Sequence, residues 1–103
     1  MSRRRYELTA RARLDLLQIW NYLAERASLD VADKVAADIE SAVERLVQTP
    51  GLGHRREDVT ARDCLFYRVH SFLIVYRPKT KPLHVLRVIH GARDLPEALE
   101  DLL

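Results

Sequence analysis

The chemistry open to this chain is concentrated in its last forty-odd residues. Between Cys64 and Arg93 there are six basic residues, Arg68, Arg77, Lys79, Lys81, Arg87 and Arg93, and no acid. The arginine guanidinium is a planar fork of donors that matches phosphate and carboxylate oxygens, so Arg68, Arg87 and Arg93 are candidate anion clamps. Proton transfer beside such a clamp needs a positioned histidine, tyrosine, glutamate or lysine. His90, His70, Tyr67 and Tyr76 are the candidates, and His90 is the strongest base among them. Each has a plain structural reading as well. A histidine at the end of a strand can hydrogen-bond a neighbouring backbone group, and Cys64 reads as an inert strand residue.

The rest of the charge is segregated too. Residues 1–13 carry five arginines and one glutamate, residues 14–50 seven acids against three bases, and residues 94–103 four acids and no base. The overall net charge of +2 is too small to imply nucleic-acid binding by itself. Its distribution points to an anionic partner for one side of the molecule, although a solvated edge of ordinary arginines and lysines would look the same.

One domain is expected over residues 1–103, because a chain of 103 residues has room for a single modest core. With 48% hydrophobic and 31% charged residues it reads as globular, and no apolar run approaches the roughly 18 residues of a membrane span. Arg3-Arg4-Arg5 is followed by Tyr6-Glu7-Leu8 and not by an apolar stretch, so no signal peptide is expected. A lone cysteine gives no internal disulfide and suits a reducing compartment, which makes the cytoplasm the expected location. The four histidines are far apart and no Cys-x-x-Cys occurs, so no metal or cofactor is implied.

The elements that must position these residues follow from periodicity. A short strand is expected over 3–8. Thr9 then caps a helix over 10–27, with Ala12, Leu16, Ile19, Leu23 and Ala27 on the buried stripe and Trp20 as a core anchor at its border. Asp15, Gln18, Tyr22, Glu25 and Arg26 fall mostly on the far side. Leu14 and Leu17 lie on the flank, where they can meet a partner. Asp30 is the expected cap of a second helix over 31–48, ended by Pro50-Gly51. The short connection makes the two helices an antiparallel hairpin. Strands are expected over 64–69, 72–77 and 83–89, rich in aromatic and β-branched residues. Only His70-Ser71 separates the first two, and residues 95–103 are a short helix or tail. The fold class is therefore α+β, in the order β-α-α-β-β-β, with the N-terminal strand and the helical hairpin packed on an antiparallel meander. Two of the strands are apolar at both parities, so one sheet face is expected to stay uncovered and open to a partner. Arg93-Asp94 is expected to be able to pin the last strand to the hairpin.

Four stretches carry a resemblance to a known family. They are Leu8-Thr9-x-x-Ala12-x-x-Asp15-Leu16-x-x-Ile19-Trp20-x-Tyr22, Leu46-x-x-x-Pro50-x-x-Gly53, Leu73-Ile74-Val75-Tyr76-Arg77 and Arg87-Val88-Ile89-His90-Gly91-Ala92-Arg93-Asp94. In that order, over roughly residues 6–95, they resemble the ParE branch of the RelE/ParE toxin superfamily. Many ParE-like chains have glycine where this one has His70. The resemblance implies the toxin of a bacterial type II toxin–antitoxin pair, of the kind tied to plasmid stabilisation, neutralised by a ParD-like antitoxin in a hetero-oligomer. It also implies DNA gyrase as the target, poisoned by binding and without catalysis by the toxin itself, and no sequence-specific nucleic-acid binding by the toxin alone. The alternative is a RelE-like ribosome-dependent endoribonuclease, with His90, Arg68, Arg87 and Arg93 as its site. Against that, residues 95–103 lack the tyrosine or histidine that RelE-like nucleases typically carry there. Arg68, Arg77, Arg87, His90, Arg93, Leu14 and Leu17 are the candidate contacts with target or antitoxin.

Overall fold

A computed structural model describes residues 5–60, 62–92 and 99. A short strand, β1 (Tyr6–Leu8), leads into helix α1 (Ala10–Arg26) and helix α2 (Leu29–Gln48). A single 3-10 turn, Pro50–Leu52, and a loop then precede the meander β2 (Leu65–Val69), β3 (Phe72–Arg77) and β4 (Leu83–His90). The sheet order is β1-β4-β3-β2. The meander pairs are antiparallel, whereas β1 lies parallel to β4 with Tyr6 opposite Leu83 and Leu8 opposite Val85. The sheet is thus mixed, and its last strand is an inner one.

Both helices start on a hydroxyl. Thr9 Oγ1 accepts the Ala12 N–H at 3.0 Å and donates to the Leu86 carbonyl at 2.7 Å, so one side chain caps α1 and ties it to β4. Ser28 Oγ accepts the Val31 N–H at 3.1 Å. Ser28, and not Asp30, is therefore the cap of α2, which begins two residues earlier than its apolar stripe alone suggests. Val35, Ile39, Ala42, Val43 and Leu46 of α2 and Ala12 of α1 pack on Phe72, Ile74, Tyr76, Leu83, Val85 and Val88, which form the main core. Trp20 stands outside that core. It is half-buried and donates through Nε1 to Asp33 Oδ1 at 2.9 Å, so it joins α1 to α2 at their outer edge instead of anchoring the interior.

The second sheet face is not open as expected. Phe66, Leu73, Val75, Leu86 and Ile89 form a second cluster with Cys64, and this is closed by Leu99 at 3% exposure and by Val59 from the long loop. Apolar residues at both parities of β3 and β4 are thus accounted for by burial on both faces. Apart from Leu99, the segment expected to form the tail lies outside the described residues.

β4 carries an irregularity that matters for the site. Tyr76 is opposite Val85 and Val75 is opposite Arg87, which leaves Leu86 as an extra residue, a β-bulge. Leu86 packs into the second cluster, and its neighbour Arg87 turns to α1.

Candidate functional site

β1 covers only the first three residues of β4, and beyond Val85 the outer edge of that strand belongs to α1. Asp15, expected on the solvent side of the helix, is 6% exposed and reaches that edge. Its Oδ2 accepts the Arg87 Nε–H at 2.7 Å and the Val88 N–H at 3.0 Å, while Oδ1 accepts from Arg87 Nη2 at 3.0 Å. Arg87 is 1% exposed, so its guanidinium is a buried cross-link and not a surface clamp. That corrects its place among the contact candidates. The signal was present in the sequence, since Asp15 and Arg87 are an opposite-charge pair in two of the four family-like stretches, but helical periodicity alone put Asp15 outside.

Tyr76 is also withdrawn from chemistry. It is fully buried, and burial pushes its phenol above the ordinary value, so it stays protonated at neutral pH. The hydroxyl donates to the Pro50 carbonyl at 2.6 Å and accepts the Gly53 N–H at 2.9 Å. A Cβ on Gly53 would stand 2.7 Å from that oxygen, which is why the turn after α2 reads Pro50-x-x-Gly53. Tyr67 is half-buried, with the Arg45 guanidinium 6.0 Å from its ring centre.

His70 lies at the β2–β3 turn with φ of 55°, a left-handed conformation that glycine adopts without steric cost. Its Nε2–H donates to Asp38 Oδ2 on α2 at 2.7 Å, fastening the turn to the helical layer. That hydrogen bond, helped by Lys34, holds the Asp38 carboxyl below its ordinary value. Arg68 is exposed on the same side of the sheet as Leu73, its cross-strand partner, and donates through Nε to the His70 carbonyl at 3.1 Å. Arg77 is exposed on that same side at the other end of β3. The two arginines thus bracket the second cluster. Arg93 lies outside the described residues.

His90 borders a cleft, and Leu14 and Leu17 lie on the helix that forms one wall of it. This open cleft of about 250 Å³ runs between α1 and the end of β4, lined by Asp15, Gln18, Ile19 and Tyr22 on the helix and by Phe72, Val88, Ile89 and His90 on the sheet. The helix positions follow the i, i+3, i+4, i+7 spacing of one face. His90 meets the Phe72 ring edge to face, with centres 5.4 Å apart. Its Nδ1 accepts the Ala92 N–H at 3.1 Å, as a histidine ending a strand was expected to do. Leu14 and Leu17, 42% and 57% exposed, lie on the outer flank of the same helix. The cleft was not legible in the sequence, because it is formed by two elements seventy residues apart in the chain. Among the described residues, no helix is long and apolar enough to cross a membrane.

Three likenesses to known proteins follow the same lines. Residues 6–95 match the family described as ParE toxin of the type II toxin–antitoxin system, parDE. Toxin ParE1 of Caulobacter vibrioides is 30% identical over 87 residues, which span 82% of this chain and 86% of that protein. A chain from the solved structure of a chromosomal ParDE system from P. aeruginosa shares the fold, with a TM-score of 0.70 at 23% identity, over 82% of this chain and 92% of that one.

Proposed function

Because this chain belongs to the ParE toxin family of type II toxin–antitoxin systems, we propose that it poisons DNA gyrase by binding. In this reading it acts in the cytoplasm and is held harmless by a ParD-like antitoxin. The observation that carries binding over bond cleavage is the position of Arg87. A nuclease needs a cation at the phosphate, and here the guanidinium that opens the last of the four family-like stretches is committed to Asp15 inside the protein. His70 is tied to Asp38 and the Tyr76 phenol to the Pro50 turn, so these acid–base candidates also hold structure.

For the antitoxin, the buried second face directs attention to the outer flank of α1. Leu14 and Leu17 are large exposed apolar residues there, and Arg11 and Arg13 stand exposed beside them. An amphipathic segment with acids on its polar side matches that surface in both hydrophobicity and charge. Purified toxin should inhibit gyrase supercoiling or trap cleaved DNA, and should leave mRNA intact in a translation extract. Cutting of translated mRNA with gyrase unaffected would replace this reading by the endoribonuclease.

A further inference from the structure

We propose that the cleft between α1 and the end of β4 is an anchor pocket that takes one large apolar or aromatic side chain of the antitoxin segment, with His90 bonding an acceptor beside it. The proposal rests on the antitoxin reading above and names the chemistry of that contact. At about 250 Å³ the cleft lies below the roughly 300–1,000 Å³ of small-molecule sites, and its scale suits a single side chain. Its walls are apolar and aromatic. Ile19, Val88 and Ile89 supply aliphatic surface, while Phe72, His90 and Tyr22 supply three rings. Tyr22 is 56% exposed, and the Arg26 guanidinium sits 5.3 Å from its ring centre, on the helix turn that follows.

The polar groups at the cleft are those an anchor needs. Among the described lining residues Asp15 alone carries a formal negative charge, and the Arg87 fork neutralises it, so none of them turns a bare charge on an incoming apolar group. Since His90 Nδ1 accepts the Ala92 N–H, the neutral imidazole carries its own hydrogen on Nε2 and offers a donor. A backbone carbonyl or side-chain oxygen next to the anchor can accept it. Among the described residues the lining holds no arginine or lysine, which disfavours a nucleotide, whose phosphate requires a cation. Gln18 and Tyr22 lie between the cleft and the Leu14–Leu17 flank on one helix, so a segment docked on that flank can place a side chain in the cleft without leaving α1. A buried anchor with a near-neutral contact surface around it is how most protein interfaces obtain their affinity.

Gln18 is exposed on α1, so Gln18→Trp can plug the cleft from its mouth without disturbing the core. Full-length toxin is titrated with N-acetyl-tryptophanamide, which has a ring and carbonyl acceptors, while the methyl signals of Ile19, Val88 and Ile89 are followed by NMR. Adenosine monophosphate is titrated in parallel. Affinity for the purified antitoxin encoded beside the toxin is measured for wild type, Gln18→Trp and His90→Phe. The expected results are methyl shifts with the tryptophan compound alone, lost in Gln18→Trp, and at least a tenfold weaker antitoxin complex for that variant. His90→Phe, which keeps a ring but removes both the Nε2 donor and the acceptor of the Ala92 N–H, should show a smaller loss. Unchanged antitoxin affinity in Gln18→Trp, or shifts caused by the nucleotide instead, would overturn the proposal. Failure of the wild-type toxin to bind that antitoxin at all would overturn the antitoxin reading itself, which separates the two.

Discussion

Asp15 and Arg87 are almost completely enclosed, and each oxygen of the carboxylate is committed. Burying two charges is costly, so the pair need not stabilise the fold more than a well-packed apolar pair would. Removing one member is another matter, since the survivor keeps its charge without its partner. Asp15→Ala should lower stability by about 3–5 kcal/mol, whereas the double variant Asp15→Leu/Arg87→Met should recover much of that loss. Urea unfolding of the three proteins decides it, and equal losses in the single and double variants would show that the fork is not what the strand edge depends on. A second carboxylate responds to pH. Hydrogen bonding by His70 keeps the folded-state value of Asp38 below the ordinary 3.8, so the unfolded chain takes up the proton first as pH falls. The stability Asp38 contributes is present in full above the ordinary value and is lost below it, as pH drops through the lowered folded-state value. Unfolding midpoints at pH 7, 5 and 3 should therefore fall more steeply for wild type than for Asp38→Asn at the acid end, and parallel curves would contradict this.

At the scale of elements, the β2–β3 turn shows a compromise between backbone and side chain. His70 holds a left-handed conformation that costs a non-glycine residue about 1–2 kcal/mol, and its imidazole bonds α2 in return. His70→Gly should be close to neutral in wild type and should raise stability by about 1 kcal/mol in an Asp38→Ala background, where no acceptor remains for the imidazole. Thermal or urea unfolding of the four proteins in the cycle measures the difference, and the same effect in both backgrounds would mean the two residues are uncoupled. The order of elements and the two-helix, meander plan were readable because each rests on a local signal. The 3.6-residue stripe of α2, the two-residue gap His70-Ser71 and the cap Thr9 are all of that kind. What periodicity could not show were contacts made across the chain. The parallel pairing of β1 with β4 leaves no mark in a three-residue strand. The extra residue Leu86 shifts the parity of β4 midway, so Arg87 could not be assigned a direction from its spacing. Asp15 sits on the polar side of a helical wheel, and only the edge of β4 beside it explains its burial.

For the molecule as a whole, the sheet is an inner layer with a helical hairpin on one side and Leu99 and Val59 on the other. The expected open face is closed, and the exposed positive charge of Arg68 and Arg77 remains at its two ends. If long-range steering by those cations contributes to antitoxin capture, Arg68→Glu/Arg77→Glu should slow association about tenfold at low salt and flatten its salt dependence. Stopped-flow association at two ionic strengths tests this, and an unchanged rate would confine the antitoxin's electrostatic recognition to the α1 flank. The position of β4 has one more consequence. Among the described residues it is the last strand to be synthesised, yet β1, β3, Thr9 and Asp15 all attach to it. At about 5–20 residues per second a ribosome needs about 5–20 s for 103 residues, and β1, Thr9 and Asp15 gain their β4 partners only after residues 83–90 have been added. A premature stop before residue 83 leaves a fragment without its keystone.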